Sequence, residues 1–445
     1  MAVLLTVLPS GDAPLANAGV SASPEPSVVE EPTAELPLDF GEIDTLVEQA
    51  VRGGKTPGAV VVVGRHDRVL HRRAYGDRAV LPARQGMTMD TIFDLASLTK
   101  PLVTGTLAAW LIERGALQLS DRVSQYLPRF AGHGKEDITV EQLLLHTSGL
   151  PPSNPLSQYR HGRDRARARA IGSVLEAYPG RRFIYSDVGY IVLGALIERV
   201  SGESLDTLAR RVIWNPLSMK DTRYCRRLCE SPRIAPTELA AGRHASPIRG
   251  EVQDPRAYAL GGVAGHAGLF STGDDLSRFA QMLLGQGELE GKRILSSDAV
   301  SHFTEPRTLP GGGVRSLGWD VLSHYSKARG ESLSERAFGH GGYTGTSLWV
   351  DPELDLFVLV LSNRNHPFGT GNVLHLQGTI ADAAVHAVQR ANGELPLRQA
   401  LGRQAPVLPA SERTLEERPL RAEKPLPESA TAAGEAHEQL RRGGG

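Results

Sequence analysis

The chain has 445 residues, which is enough to bury one large hydrophobic core or two linked ones. Hydrophobic residues make up 40% of it and charged residues 22%, and both proportions are ordinary for a soluble globular protein. The formal net charge of −1 argues against nucleic acid or an anionic membrane as the main partner. The sequence also holds no apolar run near the roughly 20 residues that a membrane-spanning helix requires.

The two ends of the chain differ in composition from its centre. Residues 1–18 combine an apolar stretch with an Ala-Asn-Ala cleavage pattern, which predicts a signal peptide that lacks its basic start. Residues 19–38 and 397–445 are rich in Pro and Glu, which predicts a disordered linker and a disordered tail. The folded body is therefore predicted to span residues 39–396 of a periplasmic or secreted protein. If residues 1–18 are only a loose tail, the cytoplasm is the alternative location.

The folded body is predicted to begin with a helix and a hairpin. Apolar residues at helical spacing predict a short amphipathic helix over Ile43–Val51. Two strand-like runs follow, Gly58–Gly64 and Arg68–Tyr75, and the short turn between them predicts that they pair as a β-hairpin.

Ser97 and Lys100 stand three positions apart at the predicted start of a buried helix. Only seven of the 49 basic residues are lysines, and Lys100 is the one that follows a serine at this spacing. Because residues three apart share a helix face, the lysine amine can take the proton of the serine hydroxyl and activate it as a nucleophile. Within a helix, proline is tolerated only in the first turn, so Pro101 places Ser97 at or next to a helix N-terminus. The free N–H groups there favour a developing negative charge. The alternative is a serine cap beside a lysine that reaches solvent.

The remainder of the body is predicted to be helical in its middle and to return to strands near its end. Predicted helices are Thr139–Leu145, Val188–Val200, Asp274–Leu284 and Ile380–Ala391, and predicted strands are Ser316–Leu322, Thr346–Val350 and Leu356–Leu361. Strands at both ends predict one sheet built from distant segments, with a mostly helical subdomain inserted over about 98–305. The basic stretch Arg160–Arg169 is interpreted as a solvated helix face or loop, and the alternative is contact with an anionic substrate or wall polymer.

Cys225 and Cys229 are the only cysteines, and they lie in one predicted loop. They can form a small disulfide in an oxidising compartment or stay free. Because no histidine lies nearby at zinc-ligand spacing, no metal site is expected, and no cofactor is predicted.

Two further positions carry side chains suited to proton transfer or hydrogen bonding. Tyr185 is predicted on a turn that enters a buried helix, where a phenol near an ammonium group can relay a proton. His340 is predicted at the head of a strand, and Gly341 and Gly342 allow a substrate backbone to lie along that edge. Taken singly, each is more often a capping or hydrogen-bonding residue.

Taken together, the S-x-x-K, Y-x-D and H-x-G motifs resemble those of the serine β-lactamase and penicillin-binding-protein superfamily, and the nearest branch is class C-like. That branch includes D-amino-acid peptidases, esterases and muropeptide-processing enzymes. The resemblance covers about residues 40–395 and also rests on Phe93–Lys100, Leu143–Leu150, Gly261–Thr272 and Gly339–Thr346. It implies an α+β fold in which an antiparallel sheet, built from the N- and C-terminal segments, is flanked by helices.

The resemblance implies a role for each matched position. Ser97 corresponds to the nucleophile that forms an acyl-enzyme, and Lys100 to the amine that deprotonates it. Tyr185 corresponds to the tyrosine that shuttles a proton to the leaving group. The backbone N–H groups of Ser97 and Tyr343 correspond to the oxyanion-hole donors, which contribute about 3 kcal/mol each to transition-state binding. His146 and His266 are interpreted as scaffold residues.

Asp187, His340, Gly341 and Gly342 are the predicted substrate-binding residues. Asp187 and His340 depart from the superfamily pattern. Asp187 replaces the asparagine of Y-x-N, and its carboxylate is expected either to pair with Lys100 and hold it charged or to select an amine-bearing substrate. His340 stands where most relatives carry the lysine of K-T-G. Since a neutral imidazole is a poor substitute for the cation that binds the penicillin carboxylate, β-lactamase activity is expected to be weak.

These features predict a serine hydrolase acting on an amide or ester. A cell-wall peptide or muropeptide, cleaved by a D-amino-acid peptidase or amidase, ranks level with a small ester. A β-lactamase ranks third. The alternative from another class is a non-catalytic relative that binds cell-wall peptide in the cleft. The expected partner is a small-molecule or peptide substrate, and association with the cell wall is a further expectation. The sequence contains no G-x-S-x-G or H-E-x-x-H, which argues against an α/β-hydrolase and a zincin.

Overall fold

The computed structural model describes residues 38–226, 228–239 and 246–393. The predicted signal peptide and tail, and all of the predicted linker except residue 38, lie outside these residues. Within them the α-helices are α1 (Gly41–Arg52), α2 (Thr106–Glu113), α3 (Val123–Tyr126), α4 (Val140–Leu144), α5 (Arg163–Ile171), α6 (Asp187–Ser201), α7 (Leu205–Ala209), α8 (Pro255–Ala259), α9 (Gly273–Leu284), α10 (Ser297–Thr304) and α11 (Leu374–Ala391). The strands are β1 (Gly58–Gly64), β2 (Val69–Ala79), β3 (Gln85–Gly86), β4 (Phe93–Asp94), β5 (Arg223–Tyr224), β6 (Leu269–Ser271), β7 (Glu288–Leu289), β8 (Lys292–Arg293), β9 (Arg307–Thr308), β10 (Val314–Arg315), β11 (Asp320–Leu322), β12 (Phe338–Gly342), β13 (Thr346–Asp351) and β14 (Leu356–Ser362).

The main sheet joins the two ends of the described body. Its nine described strands run in the order β3-β2-β1-β14-β13-β12-β11-β10-β9, and every pairing is antiparallel. At the junction β1 lies beside β14, with Val61 opposite Val360. The predicted antiparallel sheet, assembled from distant segments and flanked by helices, is confirmed. Helices α2 to α10 all lie between residues 98 and 305.

Both faces of the main sheet are covered by other elements. On one face, Ile43 of α1 and Ile380 of α11 share an apolar cluster with Val61 and Val358. On the other face, Val60 belongs to the larger cluster that includes the helical part of the chain. Consecutive residues of a strand point to opposite faces of the sheet, and both faces are covered here. All seven residues of β1 are therefore buried. This explains why the sequence of β1 is a continuous apolar run and does not alternate with polar residues.

Most predicted elements are present, but the C-terminal strands differ from the prediction in two places. The stretch Ser316–Leu322 is strand only from Asp320 onward, because the chain turns between β10 and β11 with Gly318 at a φ of +95°. His340 does not lie at the head of the strand that follows it. It lies inside β12, a separate strand that pairs with β13 across a turn containing Gly345 at a φ of +101°. A positive φ of this kind is readily adopted by glycine.

Three smaller predictions can be compared with the structure. Cys225 and Cys229 form a disulfide, which decides between the two alternatives left open. The basic stretch continues into α5, which buries Ala166 and Ala170 and leaves most of its arginines exposed, as expected of a solvated helix face. None of the helices in the described ranges combines the length and the apolar character that crossing a bilayer demands.

Candidate active site

Ser97 and Lys100 lie in the connection between β4 and α2. Ser97 belongs to a short 3₁₀ turn, Ala96–Leu98, and Lys100 begins a π-helical turn, Lys100–Gly105, that accepts Pro101 near its start. Lys100 is fully buried, while Ser97 is partly accessible. The Nζ atom of Lys100 lies 3.0 Å from the Oγ atom of Ser97, so the two residues are in hydrogen-bond contact.

A buried carboxyl group, Asp94, holds the turn that carries Ser97. Ala96 has a φ of 45°, which is unfavourable for a residue other than glycine. Asp94 Oδ1 accepts a hydrogen bond from the Ala96 N–H at 2.9 Å, and Oδ2 accepts one from the Gln253 N–H at 2.7 Å. Burial raises the pKa of Asp94 to about 7, although the two backbone hydrogen bonds oppose this shift. Sequence reasoning gave Asp94 no role of its own.

We expect Asp94→Ala to lower the free energy of unfolding by roughly 2–4 kcal/mol at pH 5, because one buried and one partly buried N–H group lose their acceptor at about 1–3 kcal/mol each. The folded-state pKa of Asp94, about 7, exceeds the ordinary value of 3.8. The contribution of the carboxyl is therefore complete below pH 3.8 and declines as the pH rises toward 7. The loss should be smaller at pH 8, as measured by urea unfolding at both pH values.

The matched control for Asp94 is Asp137→Ala, since the Asp137 side chain is 78% exposed. This control should change stability by less than about 0.5 kcal/mol at either pH. A loss in Asp94→Ala that is larger at pH 8 than at pH 5 would contradict the role given to the buried carboxyl.

Three oxygen atoms surround the Lys100 ammonium group. They are Ser97 Oγ at 3.0 Å, the carbonyl oxygen of His266 at 3.1 Å and Asp187 Oδ1 at 2.7 Å. Lys100 donates hydrogen bonds to Ser97 Oγ and to the carbonyl oxygen of His266, and it forms an ion pair with Asp187 Oδ1 whose alignment is not that of a hydrogen bond. Burial alone would lower the pKa of Lys100, but the charge of Asp187 and the nearby Tyr185 outweigh it and raise the pKa above its ordinary value. Lys100 is therefore a cation at neutral pH, held in that state by Asp187.

Tyr185 is positioned by the N-terminus of α6. The next residue, Ser186, caps the helix by accepting from the Gly189 N–H at 2.9 Å, and its own N–H donates to His146 Nδ1 at 3.0 Å. The His146 ring stacks on Tyr185 and on Tyr190, at centroid distances of 4.4 and 4.8 Å. Burial, together with nearby cations, holds the pKa of His146 well below its ordinary value. His146 therefore lies under the cleft as a neutral support.

His340 is a buried neutral histidine that faces Tyr185. Its Nδ1 atom lies 2.7 Å from the carbonyl oxygen of Gly341, and since a carbonyl only accepts, Nδ1 carries the proton. Burial, and then the charges of Arg315 and Lys100, hold the pKa of the ring well below its ordinary value. Nε2 is then an acceptor for the Tyr185 hydroxyl, which lies 3.5 Å away.

A cavity of about 640 Å³ brings most of the candidate residues together. Its lining includes Ser97, Tyr185, His340, Gly341, Gly342 and Tyr343. Lys100 and Asp187 are not in this lining, and Lys100 contacts the cavity through Ser97. Tyr343 is 58% exposed, and its carbonyl oxygen accepts from Arg364 Nε at 2.8 Å. The oxyanion-hole roles of Ser97 and Tyr343 stay predictions.

One cluster of potential metal ligands lies beside this site. Ligand atoms of Asp187, Asp254 and His266 fall within 4.8 Å of one another. His266 Nε2 already bonds to Asp254 Oδ1 at 3.0 Å, and Asp187 is paired with the Lys100 ammonium. A cation added there would meet the positive charge of Lys100, so the cluster suits internal pairing better than metal binding.

Sequence reasoning also missed Arg315, whose side chain is fully buried yet lines the cavity. A signal was available, because an arginine inside the run Val314–Val321 interrupts residues that are otherwise mostly apolar or small. Large charged side chains are rarely buried without a partner.

Comparisons with known proteins identify the family and the relatives of this chain. Residues 43–380 match the model of the family described as Beta-lactamase. N-acetylmuramyl-L-alanine amidase of Bacillus subtilis (strain 168) is 31% identical over 377 residues, which cover 77% of this chain and 85% of that protein. A protein of Escherichia coli O157:H7, provisionally named a D-alanyl-D-alanine carboxypeptidase, is 30% identical over 74% of this chain and 82% of its own length.

Solved structures show the same fold. EstCE1, described as a hydrolase with promiscuous acyltransferase activity, is 25% identical with a TM-score of 0.62, and the match covers 78% of this chain and 98% of EstCE1. The octameric penicillin-binding protein homologue from Pyrococcus abyssi is 22% identical with a TM-score of 0.63, and the match covers 81% and 79% of the two chains. With the family match extending over most of the described body, the chain belongs to the β-lactamase family of hydrolases.

Proposed function

We propose that this protein is a serine hydrolase that cleaves an amide or ester through an acyl-enzyme on Ser97. The observation that carries the proposal is the 3.0 Å contact between Lys100 Nζ and Ser97 Oγ at the floor of the cavity. Burying a lysine is costly, and a site that only binds peptide has no need of a buried amine against a serine hydroxyl. This argument favours an enzyme over the non-catalytic relative.

The first step transfers the Ser97 proton to Lys100 while Ser97 Oγ adds to the carbonyl carbon of the scissile bond. Because Asp187 raises the pKa of Lys100, only a small fraction of molecules carries the free amine at neutral pH, and the reaction proceeds through that fraction. The backbone N–H groups of Ser97 and Tyr343 stabilise the oxyanion.

The second step breaks the scissile bond. Tyr185 passes the proton from Lys100 to the leaving nitrogen or oxygen, which leaves an acyl ester on Ser97. The acceptor Nε2 of His340 orients the Tyr185 hydroxyl. Water then attacks the ester with Tyr185 as the proton carrier, releases the acid and restores the serine hydroxyl.

The relatives support a cell-wall peptide as the first candidate substrate. The B. subtilis relative is named for muramyl-L-alanine amidase activity, and the E. coli relative for D-alanyl-D-alanine cleavage. We therefore place muropeptide amides first and locate the protein in the periplasm or outside the cell. A small ester is the second candidate, supported by the likeness to EstCE1 and by the neutral His340.

A covalent label tests the proposed function. A fluorophosphonate should add its mass to the peptide containing Ser97 in the wild-type protein and not in Ser97→Ala. Turnover should then be compared on p-nitrophenyl acetate, nitrocefin, a muramyl-L-alanyl peptide and a D-Ala-D-Ala peptide, and kcat/KM should be highest for one of the two peptides. Folded protein that takes no label and turns over none of these substrates would identify a binding protein.

A further inference from the structure

Arg315, at the end of β10, is a buried charged side chain whose guanidinium makes no hydrogen bond to the described residues. The side chain is fully buried and lines the same cavity as Ser97. Asp320 is its ion-pair partner, with Asp320 Oδ1 3.3 Å from a terminal nitrogen, but the approach lacks the alignment of a hydrogen bond. Among the described residues, none of the three guanidinium nitrogens has a hydrogen-bond partner.

This arrangement is costly unless something else completes it. A buried polar group without a hydrogen bond destabilises a folded protein, and a buried charge does so more strongly. The rings of Phe183 and Tyr185 lie 5.6 and 6.0 Å from the guanidinium carbon and offset part of this cost through cation–π attraction. They leave the N–H donors unused, and those donors form a planar fork that fits a carboxylate with two parallel hydrogen bonds.

The position of Arg315 relates it to the substrate. The rings that cover it include Tyr185, whose hydroxyl faces His340. Burial, and then the charges of Arg315 and Lys100, lower the pKa of His340, so the histidine is neutral. Arg315 therefore supplies a permanent positive charge close to the neutral His340 and to the Tyr185 hydroxyl.

Two other cations line the cavity, and both differ from Arg315. Arg364 donates to the carbonyl oxygens of Tyr343 and Gly371 at 2.8 Å each and stacks on the Tyr343 ring at 4.6 Å. Lys327 is exposed, so water and salt screen its charge. Within the described part of the cavity lining, Arg315 alone combines full burial with unused guanidinium donors.

Building on the proposed function, we propose that Arg315 binds a substrate carboxylate, so that the enzyme prefers amides and esters carrying a free carboxylate near the scissile bond. The rings of Phe183 and Tyr185 must shift to admit the carboxylate. They then shield the ion pair from water, and a charge interaction is stronger in such a water-free environment than in solvent. Asp320 holds the guanidinium in place in the absence of substrate.

Matched pairs of compounds test this proposal. N-acetyl-D-Ala-D-Ala and its C-terminal amide are compared as competitive inhibitors of p-nitrophenyl acetate hydrolysis, and p-nitrophenyl hydrogen succinate is compared with its monoamide as a substrate. In the wild-type protein the acid of at least one pair should be preferred by tenfold or more. The preference should fall below threefold in Arg315→Met/Asp320→Asn, which removes both buried charges together.

Two further variants keep the test decisive. Arg315→Lys keeps the charge without the fork, avoids the folding risk of the double variant, and should retain only part of the preference. Lys327→Gln removes an exposed cation from the same wall and should keep the preference within threefold. The proposal would be overturned if the wild-type protein showed no preference for the acid over the amide, or if that preference survived in both Arg315 variants. Bound water would then account for the guanidinium donors that have no hydrogen-bond partner in the protein. Turnover of p-nitrophenyl acetate reports separately on whether Ser97 acts as proposed.

Discussion

Ser97→Ala is expected to lower kcat by about 10⁴-fold or more while the melting temperature changes by only a few degrees. Loss of the nucleophile in a serine hydrolase removes most of the rate acceleration. The structural loss is small, because Ser97 accepts one hydrogen bond from Lys100, and Lys100 keeps its contacts with Asp187 and the carbonyl oxygen of His266. About 1 kcal/mol of lost hydrogen bonding corresponds to a change of about 1–2 °C in the melting temperature of a protein of this size, because the entropy of unfolding grows with chain length.

The measurements are turnover of an ester and a muropeptide, with thermal unfolding of the same samples. Ser173→Ala is the matched control, since Ser173 is also a hydrogen-bonded serine, paired with Asn154, but it is buried and does not line the cavity. That variant should keep its turnover. A drop of more than about 10 °C in Ser97→Ala would make Ser97 a structural residue, and retained turnover would place the nucleophile elsewhere.

Asp187→Asn is expected to move the rising limb of the pH–activity profile, in which Lys100 loses its proton, to lower pH by at least about one pH unit. In the wild-type protein, activity should rise with pH as Lys100 loses its proton, and the raised pKa of Lys100 should keep the profile rising at pH 9. Asparagine removes the charge that raises this pKa, while burial, which lowers it, remains. Activity at pH 7 should therefore increase about tenfold for every pH unit by which the limb moves.

The profile of kcat/KM from pH 5 to 10 provides the measurement. Asp164→Asn removes an exposed acid on α5 and should leave the limb where it is. A wild-type profile that is flat from pH 5 to 9 would argue against Lys100 as the base. An Asp187→Asn profile with lower activity and an unmoved limb would show that Asp187 contributes something other than the charge on Lys100.

Local sequence patterns predicted the elements that local physics decides. The hairpin of β1 and β2 follows from two apolar runs and a short turn, and the contact between Ser97 and Lys100 follows from a three-residue spacing in a helical turn. The strand β12 was placed wrongly, because a segment rich in glycine, such as Gly339–Gly342, has little strand propensity of its own.

Long-range packing decided what the sequence could not reveal. Asp187 meets Lys100 across 87 positions, and this pairing was anticipated only because the motifs resembled those of a known superfamily. Asp94 acquires its role from Gln253 and Ala96, and no periodicity in the sequence marks a carboxyl that holds two backbone N–H groups. The burial of Arg315 depends on rings from a segment more than 100 residues earlier in the chain.

The pairing of β1 with β14 has a consequence for how the protein is made. Val61 of β1 pairs with Val360 of β14, so the ribosome must synthesise roughly 300 further residues before these two central strands can pair. Such high contact order slows folding and leaves intermediates exposed in the meantime. Until β14 emerges, β1 presents an unpaired, wholly apolar edge, which is the kind of surface that drives aggregation. A nascent chain with this topology gains from a holding chaperone until its last strand has been translated.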